Sequence, residues 1–280
     1  MPMRSTSSFT TASDMKEINN KVIWLTGASS GIGEALAYEL AVKGARLILS
    51  ARRKEELERV KGNCPSDAQT GIRILPLDLS QPETLKLSTD AAIQLFGHVD
   101  ILINNGGISQ RSKVAVTQLS VDRRIMEVNF FGAVALTKYL LPHFIARKQG
   151  HYVNVTSITG KFGTPYRSAY AASKHALHGF FDAVRAEHFR DNIHVTMICP
   201  GFIRTPITLS ALTADGTPLN KMDEAQYKGR PADWCAKKIV RAIVAQKEEV
   251  YIGGIEVLMV YMKRFFPWFF SILIRKVAVR

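Results

Sequence analysis

Cysteine is scarce in this chain and badly spaced for structural work. Among 280 residues there are three, Cys64, Cys199 and Cys235. Their odd number and wide separation exclude a disulfide framework and a Cys-x-x-Cys metal knuckle, and fit a reducing, cytoplasmic compartment. A long apolar run is also missing near the start. Residues 1–16, MPMRSTSSFTTASDMK, are rich in Ser and Thr, with no apolar segment after Arg4. They do not read as a secretory leader, and residues 1–20 are expected to form a mobile tail. Acidic residues are few: 24 Asp and Glu stand against 37 Lys and Arg, a net charge of +13. That surplus suits nucleic acid, a membrane surface or an anionic cofactor alike. The body of the chain lacks a basic motif interleaved with aromatics, which argues against nucleic acid.

What is present is alternation. Apolar, β-branched runs at 22–26 (VIWLT), 45–50, 72–78, 99–105, 151–157, 193–200 and 250–254 read as strands. Helix-period segments at 32–43, 53–61, 82–96, 120–146, 168–190 and 234–246 separate them. Strands that are apolar throughout and alternate with helices predict an α/β fold. Its form is a single doubly wound, Rossmann-type parallel sheet with helices on both faces. Residues 21–254 form that domain, and no repeat or low-complexity linker interrupts it. The one long irregular interval, 201–230, reads as a lid or binding segment.

The first strand runs into Thr26-Gly27-Ala28-Ser29-Ser30-Gly31-Ile32-Gly33. Glycines at a strand-to-helix turn let the backbone approach a pyrophosphate, and the helix N-terminus offers free N–H groups to it. The spacing is Gly-x3-Gly-x-Gly rather than the common Gly-x-Gly-x-x-Gly. At the end of the second strand an acidic residue would bind the adenosine ribose of NAD; Arg52 and Arg53 stand there instead. Their guanidinium forks suit a 2′-phosphate, so NADP(H) is preferred and NAD(H) is the alternative. Further on, Tyr170 and Lys174 fall one helical turn apart on one face. An ammonium beside a phenol lowers the phenol pKa, and Ser157 could share the same substrate oxygen. No Gly-x-Ser-x-Gly elbow surrounds Ser157, which sets a serine hydrolase aside. His175 and His178, at i and i+3, have no third ligand nearby in sequence, and no metal site is expected.

TGASSGIG at 26–33, NNGG at 104–107, Asn129, Ser157, Tyr170-x-x-x-Lys174 and Pro200-Gly201 resemble, in order and spacing, the short-chain dehydrogenase/reductase family. Within it, AYAASKHA resembles the dehydrogenase/reductase member 7 branch. The resemblance implies that Tyr170 is the general acid or base and that Lys174 lowers its pKa and holds the nicotinamide ribose. Ser157 would polarise the substrate oxygen, and Asn129 would hold a relay water. It implies further cofactor contacts from Gly27, Ser29, Ser30, Gly31, Ile32 and Gly33, from Asp78 and Leu79 at the adenine, and from Asn105 and Gly106. Pro200, Gly201, Ile203 and Thr205 would embrace the nicotinamide. Gly106 departs from the family's usual alanine, a change expected to loosen that turn slightly. A homo-oligomer, dimer or tetramer, is the family's habit.

Residues 255–280 carry Phe265, Phe266, Trp268, Phe269 and Phe270 around Pro267, flanked by Lys263, Arg264, Arg275, Lys276 and Arg280. The apolar stretch 265–274 is well short of the ~20 residues that span a bilayer. Such a segment suits a peripheral contact with anionic lipid. The alternative is a tail folded over the pocket or into a subunit contact. The expected function is NADP(H)-dependent interconversion of a ketone or aldehyde with its alcohol, on a lipophilic substrate. A non-catalytic dinucleotide-binding sensor is the rival, disfavoured because the whole Ser, Tyr, Lys and Asn set is retained.

Overall fold

The computed structural model describes residues 17–276. Residues 1–16 of the tail expected at 1–20, and Arg280 of the basic flank, lie outside the described residues. The last part of that stretch is not a tail, since Ile18 is buried in the core and Asn20 N–H donates to Gly44 O at 2.9 Å. Seven parallel strands make one sheet in the order β3-β2-β1-β4-β5-β6-β7. They are β1 (Val22–Thr26), β2 (Arg46–Ser50), β3 (Ile72–Ile74), β4 (Ile101–Asn104), β5 (Gly150–Val155), β6 (Ile193–Pro200) and β7 (Glu249–Ile252). The helices are α1 (Gly31–Val42), α2 (Lys54–Gly62), α3 (Pro82–Phe96), α4 (Leu119–Arg147), α5 (Ser168–Glu187), α6 (Glu224–Tyr227), α7 (Ala232–Val244), α8 (Leu258–Phe265) and α9 (Pro267–Ile274).

The unbroken apolar character of β1 has a direct cause, because side chains alternate across a strand and both faces here are covered. Ile23 and Leu25 join a core with Leu36 and Leu40 of α1 and Ile239 of α7. Val22 and Trp24 join the opposite core with Leu136 and Phe144 of α4 and Phe181 of α5. α4 is 29 residues long and apolar enough to cross a membrane by length and composition. Its Leu136, Leu140 and Phe144 are buried against the sheet, which accounts for that composition.

Register carries the strand ends to one level. Thr26 pairs with Ser50, and Leu25 with Ile103. Strand order reverses between β1 and β4, the place where ligands sit in sheets of this kind.

The expected strand at 72–78 is shorter than its apolar run. Pro76 has no N–H to give a ladder, and pairing as a strand stops at Ile74. The chain nonetheless stays alongside β2, with Leu75 and Leu77 donating to the carbonyls of Leu49 and Ala51. The interval 201–230 is more ordered than expected. Its two ends are clasped by Arg230 N–H to Phe202 O at 2.9 Å and Arg204 N–H to Arg230 O at 2.8 Å. Its middle is tied to the β4–α4 loop by Leu212 N–H to Ser109 O at 2.9 Å and Arg111 N–H to Leu212 O at 2.8 Å. After β7 the chain doubles back. Val260 and Phe270 pack on Ile158, Phe162 and Cys199, with the Phe162 and Phe270 rings edge to face at 5.3 Å. Phe265, Phe266, Trp268 and Phe269 remain exposed.

Gly150 leaves no room for a side chain where α4 hands over to β5: a Cβ there would lie 2.1 Å from the Phe144 ring. Gly150→Ala is therefore expected to destabilise the fold by about 1–3 kcal/mol through overpacking, read as a lowered urea midpoint at unchanged slope.

Candidate active site

A cleft of about 780 Å³ opens at the C-terminal ends of β1, β4, β5 and β6. Gly27, Ser29, Ser30, Gly31, Ile32, Arg52, Arg53, Asp78, Leu79, Asn105 and Gly106 line one part of it. Ser157, Tyr170, Lys174, Pro200, Gly201, Ile203 and Thr205 line another. Two residues expected at the site stand behind its wall instead. Gly33 sits in α1, where a Cβ would lie 2.1 Å from Gly27 O, so its role is close helix–turn packing. Asn129 is buried in α4.

The glycine turn is held by the neighbouring strand end. Asn105 and Gly106 both donate their N–H groups to Thr26 Oγ1 at 3.0 Å. Asn105 Nδ2 donates to the carbonyls of Thr26 and Gly27, each at 3.1 Å. Gly27 lies at φ +64°, and a Cβ on it would lie 2.8 Å from Gly106 Cα. Gly106 is not a loosened turn. A Cβ on it would meet Leu79 Cδ1 at 2.7 Å, so the expected slackness is replaced by tight packing of Leu79. Asp78 folds onto its own loop, with Oδ1 accepting from Ser80 N–H at 2.9 Å and Ser80 Oγ at 2.7 Å. Ser30 caps α1 without any side-chain hydrogen bond, which leaves the first-turn N–H groups of a 12-residue helix facing the cleft.

Ser157, two residues past β5, caps a short 3-10 turn, and Thr159 donates to its Oγ from both N–H (3.2 Å) and Oγ1 (3.0 Å). Tyr170 and Lys174 are buried one turn apart on α5. Lys174 Nζ donates to Val155 O at 3.0 Å and lies 5.8 Å from the centre of the Tyr170 ring. Burial pulls the Lys174 ammonium down to about 8, with Cys199 opposing. The phenol departs from the expectation that Lys174 lowers its pKa. Burial raises it above its ordinary value, and the groups opposing are Arg167 first, then the Ser157 hydrogen bond, then Arg111.

Asn129 lies in a π-helical turn, Glu127–Phe131, within α4. Its Oδ1 accepts from Ile108 N–H at 2.8 Å, and its Nδ2 donates to Ile108 O at 2.9 Å and Ser173 Oγ at 3.1 Å. Both Asn129 and Lys174 crowd Gly107, where an added Cβ would lie 3.1 Å from Asn129 Oδ1 and 3.6 Å from Lys174 Nζ.

Three groups of residues were missed by sequence reasoning. Arg111 and Arg167 line the cleft and share Asp223, partners 112 and 56 residues away. Glu256, from the C-terminal segment, accepts from Phe202 N–H at 3.0 Å and Gly254 N–H at 2.9 Å. His178, Cys199 and Glu249 bring one ligand-type atom each within 4.8 Å of the others, but Glu249 is already paired with Lys161 at 2.6 Å. None of these had a local motif to betray it.

The fold agrees with that of known proteins. The chain belongs to the short-chain dehydrogenase family, whose model, described as short chain dehydrogenase, matches residues 21–215. Within it the relatives carry the member 7 name. A "Dehydrogenase/reductase SDR family protein 7-like" from Anopheles gambiae is 45% identical over 253 residues, 89% of this chain and 80% of that one. "Dehydrogenase/reductase SDR family member 7" from Homo sapiens is 42% identical over 256 residues, 90% of this chain and 76% of that one. The solved short chain dehydrogenase/reductase from Burkholderia phymatum in complex with NAD shares the fold. It superposes with TM-score 0.78 at 22% identity, over 89% of this chain and 94% of the other.

Glu256 joins the C-terminal segment to the start of the 201–230 interval. Glu256→Ala strips the acceptor from two backbone N–H groups. It is expected to cost about 1–3 kcal/mol of stability and to speed proteolysis within 201–230, checked by urea melts and limited digestion.

Proposed function

We propose that this chain reduces a ketone or aldehyde to its alcohol, and the reverse, with NADP(H), using Tyr170 as proton donor and acceptor. The observation that carries the reading is Tyr170, buried beside Ser157 and Lys174 in the same cleft as the glycine turn. The turn fits a dinucleotide. Gly27 and Gly31 adopt φ of +64° and +59°, conformations that side chains resist, and the α1 N-terminus lacks a side-chain cap. Arg52 and Arg53 are exposed at the end of β2, and among the described residues neither is engaged in an ion pair. Free guanidinium groups there favour the 2′-phosphate of NADP(H) over the bare ribose of NAD(H).

When bound, the cofactor supplies the hydride, and carbonyl plus NADPH plus a proton gives alcohol plus NADP+. The protein's part is the proton and its placement. The raised pKa keeps the Tyr170 phenol protonated across the neutral range, the form needed to donate to a carbonyl oxygen as the hydride arrives. Ser157 Oγ, held by Thr159, hydrogen-bonds the same oxygen and disperses its developing charge. Arg167 and the Ser157 hydrogen bond steady the phenolate left behind, while Lys174, 5.8 Å from the centre of the Tyr170 ring, is placed to hold the nicotinamide ribose. Asn129 and Lys174 both flank Gly107, and a water held near them would return the proton. Asn129 itself, bonded at both ends of its amide, acts chiefly by fixing the loop at Ile108.

The apolar remainder of the cleft wall, Ile207, Leu209, Leu212 and Pro218, favours a lipophilic substrate body. The exposed aromatic rim of α9 with Lys263 and Arg264 is, on this reading, a contact with a membrane surface.

Tyr170→Phe should lower the carbonyl reduction rate about 10²- to 10⁴-fold while NADPH binding persists; turnover near that of the unaltered protein would sink the assignment. A screen of carbonyls and alcohols with both cofactors supplies the assay. Replacing Arg52 and Arg53 by alanine should weaken NADPH binding about 10- to 100-fold relative to NADH, measured by fluorescence titration, and an unchanged ratio would return the preference to NAD(H).

A further inference from the structure

We infer that Arg111 and Arg167 form an anion-binding subsite in this cleft, so that the carbonyl substrate carries a carboxylate or a phosphate. The inference rests on the carbonyl-reducing reading above and adds the substrate's charge to it.

The charges do not balance within the protein. Arg111 and Arg167 keep only 6% and 9% of their side chains exposed, and both turn to one oxygen, Asp223 Oδ2, at 3.0 and 3.4 Å. The other oxygen of Asp223 is taken, accepting from Ala225 N–H at 3.0 Å as the cap of α6. One carboxylate therefore faces two guanidinium groups, with the buried Lys174 ammonium in the same cleft. Arg111 finds further acceptors in Ser109 Oγ at 3.1 Å and Gln110 O at 2.7 Å. Arg167 has no such help. Among the described residues the one hydrogen bond of its side chain is the 3.4 Å contact with Asp223, although a guanidinium carries five N–H donors. The Nε atoms of both arginines are buried without a partner. A buried cation left short of acceptors is costly, and a ligand anion is the partner that removes the cost.

Position agrees with charge. Arg167 immediately precedes α5 and stands three residues ahead of Tyr170, so an anion held there lies close to the reacting carbonyl. Tyr166, just before it, is held at φ +66°, a conformation uncommon for an aromatic residue and found where a fold imposes a local demand. Burial lowers the pKa of both guanidinium groups, Arg167 to about 10, a fall that Asp223 opposes only in part. The cofactor's phosphates do not serve, because the glycine turn and Arg52 and Arg53 receive them. A competing account makes the two arginines a latch that merely holds the 201–230 interval through Asp223. A latch needs one of them; the second is surplus on that account.

The test uses the Tyr170→Phe protein saturated with NADPH and three probes of one chain length: 2-oxooctanoate, 2-oxooctyl phosphate and methyl 2-oxooctanoate. Binding is read at constant ionic strength by calorimetry. At least one anionic probe is expected to bind tenfold or more tightly than the neutral ester, and which one identifies carboxylate or phosphate. Adding Arg167→Gln, or separately Arg111→Gln, should shrink that preference below threefold in proteins that still bind NADPH. Equal binding of all three probes overturns the subsite, as does no binding by any, or a preference that survives both substitutions. The preference of the protein with both arginines intact decides the matter even if a glutamine variant fails to fold. If that preference holds while the protein with Tyr170 reduces none of the three, the carbonyl chemistry has failed and the anion subsite has not.

Discussion

Thr26 Oγ1 accepting the N–H groups of Asn105 and Gly106 is the contact on which the site is built. It joins the ends of β1 and β4, the strands between which the sheet order reverses, and Asn105 Nδ2 returns two bonds to the glycine turn. Backbone groups that would otherwise be orphaned at two strand ends satisfy each other. The resulting approach is so close that a Cβ on Gly27 would lie 2.8 Å from Gly106 Cα, so Gly27 cannot carry a side chain without displacement. The cradle for a pyrophosphate is thus a consequence of strand register and two glycines, and it is in place before any ligand arrives.

The electrostatics of the cleft follow from burial more than from pairing. Lys174, Tyr170, Arg111 and Arg167 all lose water, and each moves toward its neutral form: the three cations lower, the phenol higher. A protonated phenol and a weakened ammonium are what the proposed reduction needs for donating a proton to a carbonyl. The cations that oppose the rise in the Tyr170 pKa are the same arginines that lack a full complement of acceptors. An anion placed on them would screen their pull on the phenol and push its pKa further up. On the two proposals together, substrate charge and proton donation would be coupled through a single buried group.

Much of this was legible in the sequence because periodicity is local. Runs such as 22–26 and 193–200 became β1 and β6 with little change, and Tyr170 and Lys174 are a helical turn apart wherever α5 begins. The glycines and Ser157 were found because backbone freedom and chain order leave a mark. The end of β3 was visible in Pro76, though an apolar run masked it. What left no mark were contacts set by tertiary approach. Asp223 reaches Arg111 across 112 residues, and Glu256 reaches Phe202 across 54, and neither pair has a spacing to detect. The phenol's pKa was misjudged for a related reason. Proximity of Lys174 could be read from spacing, whereas the degree of burial that outweighs it could not.

The C-terminal segment shows how such contacts join parts that composition treats as separate. Its aromatics suggested an appendage, yet Val260 and Phe270 complete a small core with Ile158 and Phe162, next to Ser157. Lys263 Nζ donates to Lys161 O at 3.2 Å, and Lys161 in turn pairs with Glu249 of β7. Glu256 meanwhile holds the Gly201–Phe202 corner, where a Cβ on Gly201 would lie 2.2 Å from Glu256 Oε1. The segment therefore touches the turn that positions Ser157 and the corner from which the cleft's outer wall departs. Any force on its exposed aromatic rim would act through side chains one contact from Ser157 and from the wall that faces the substrate.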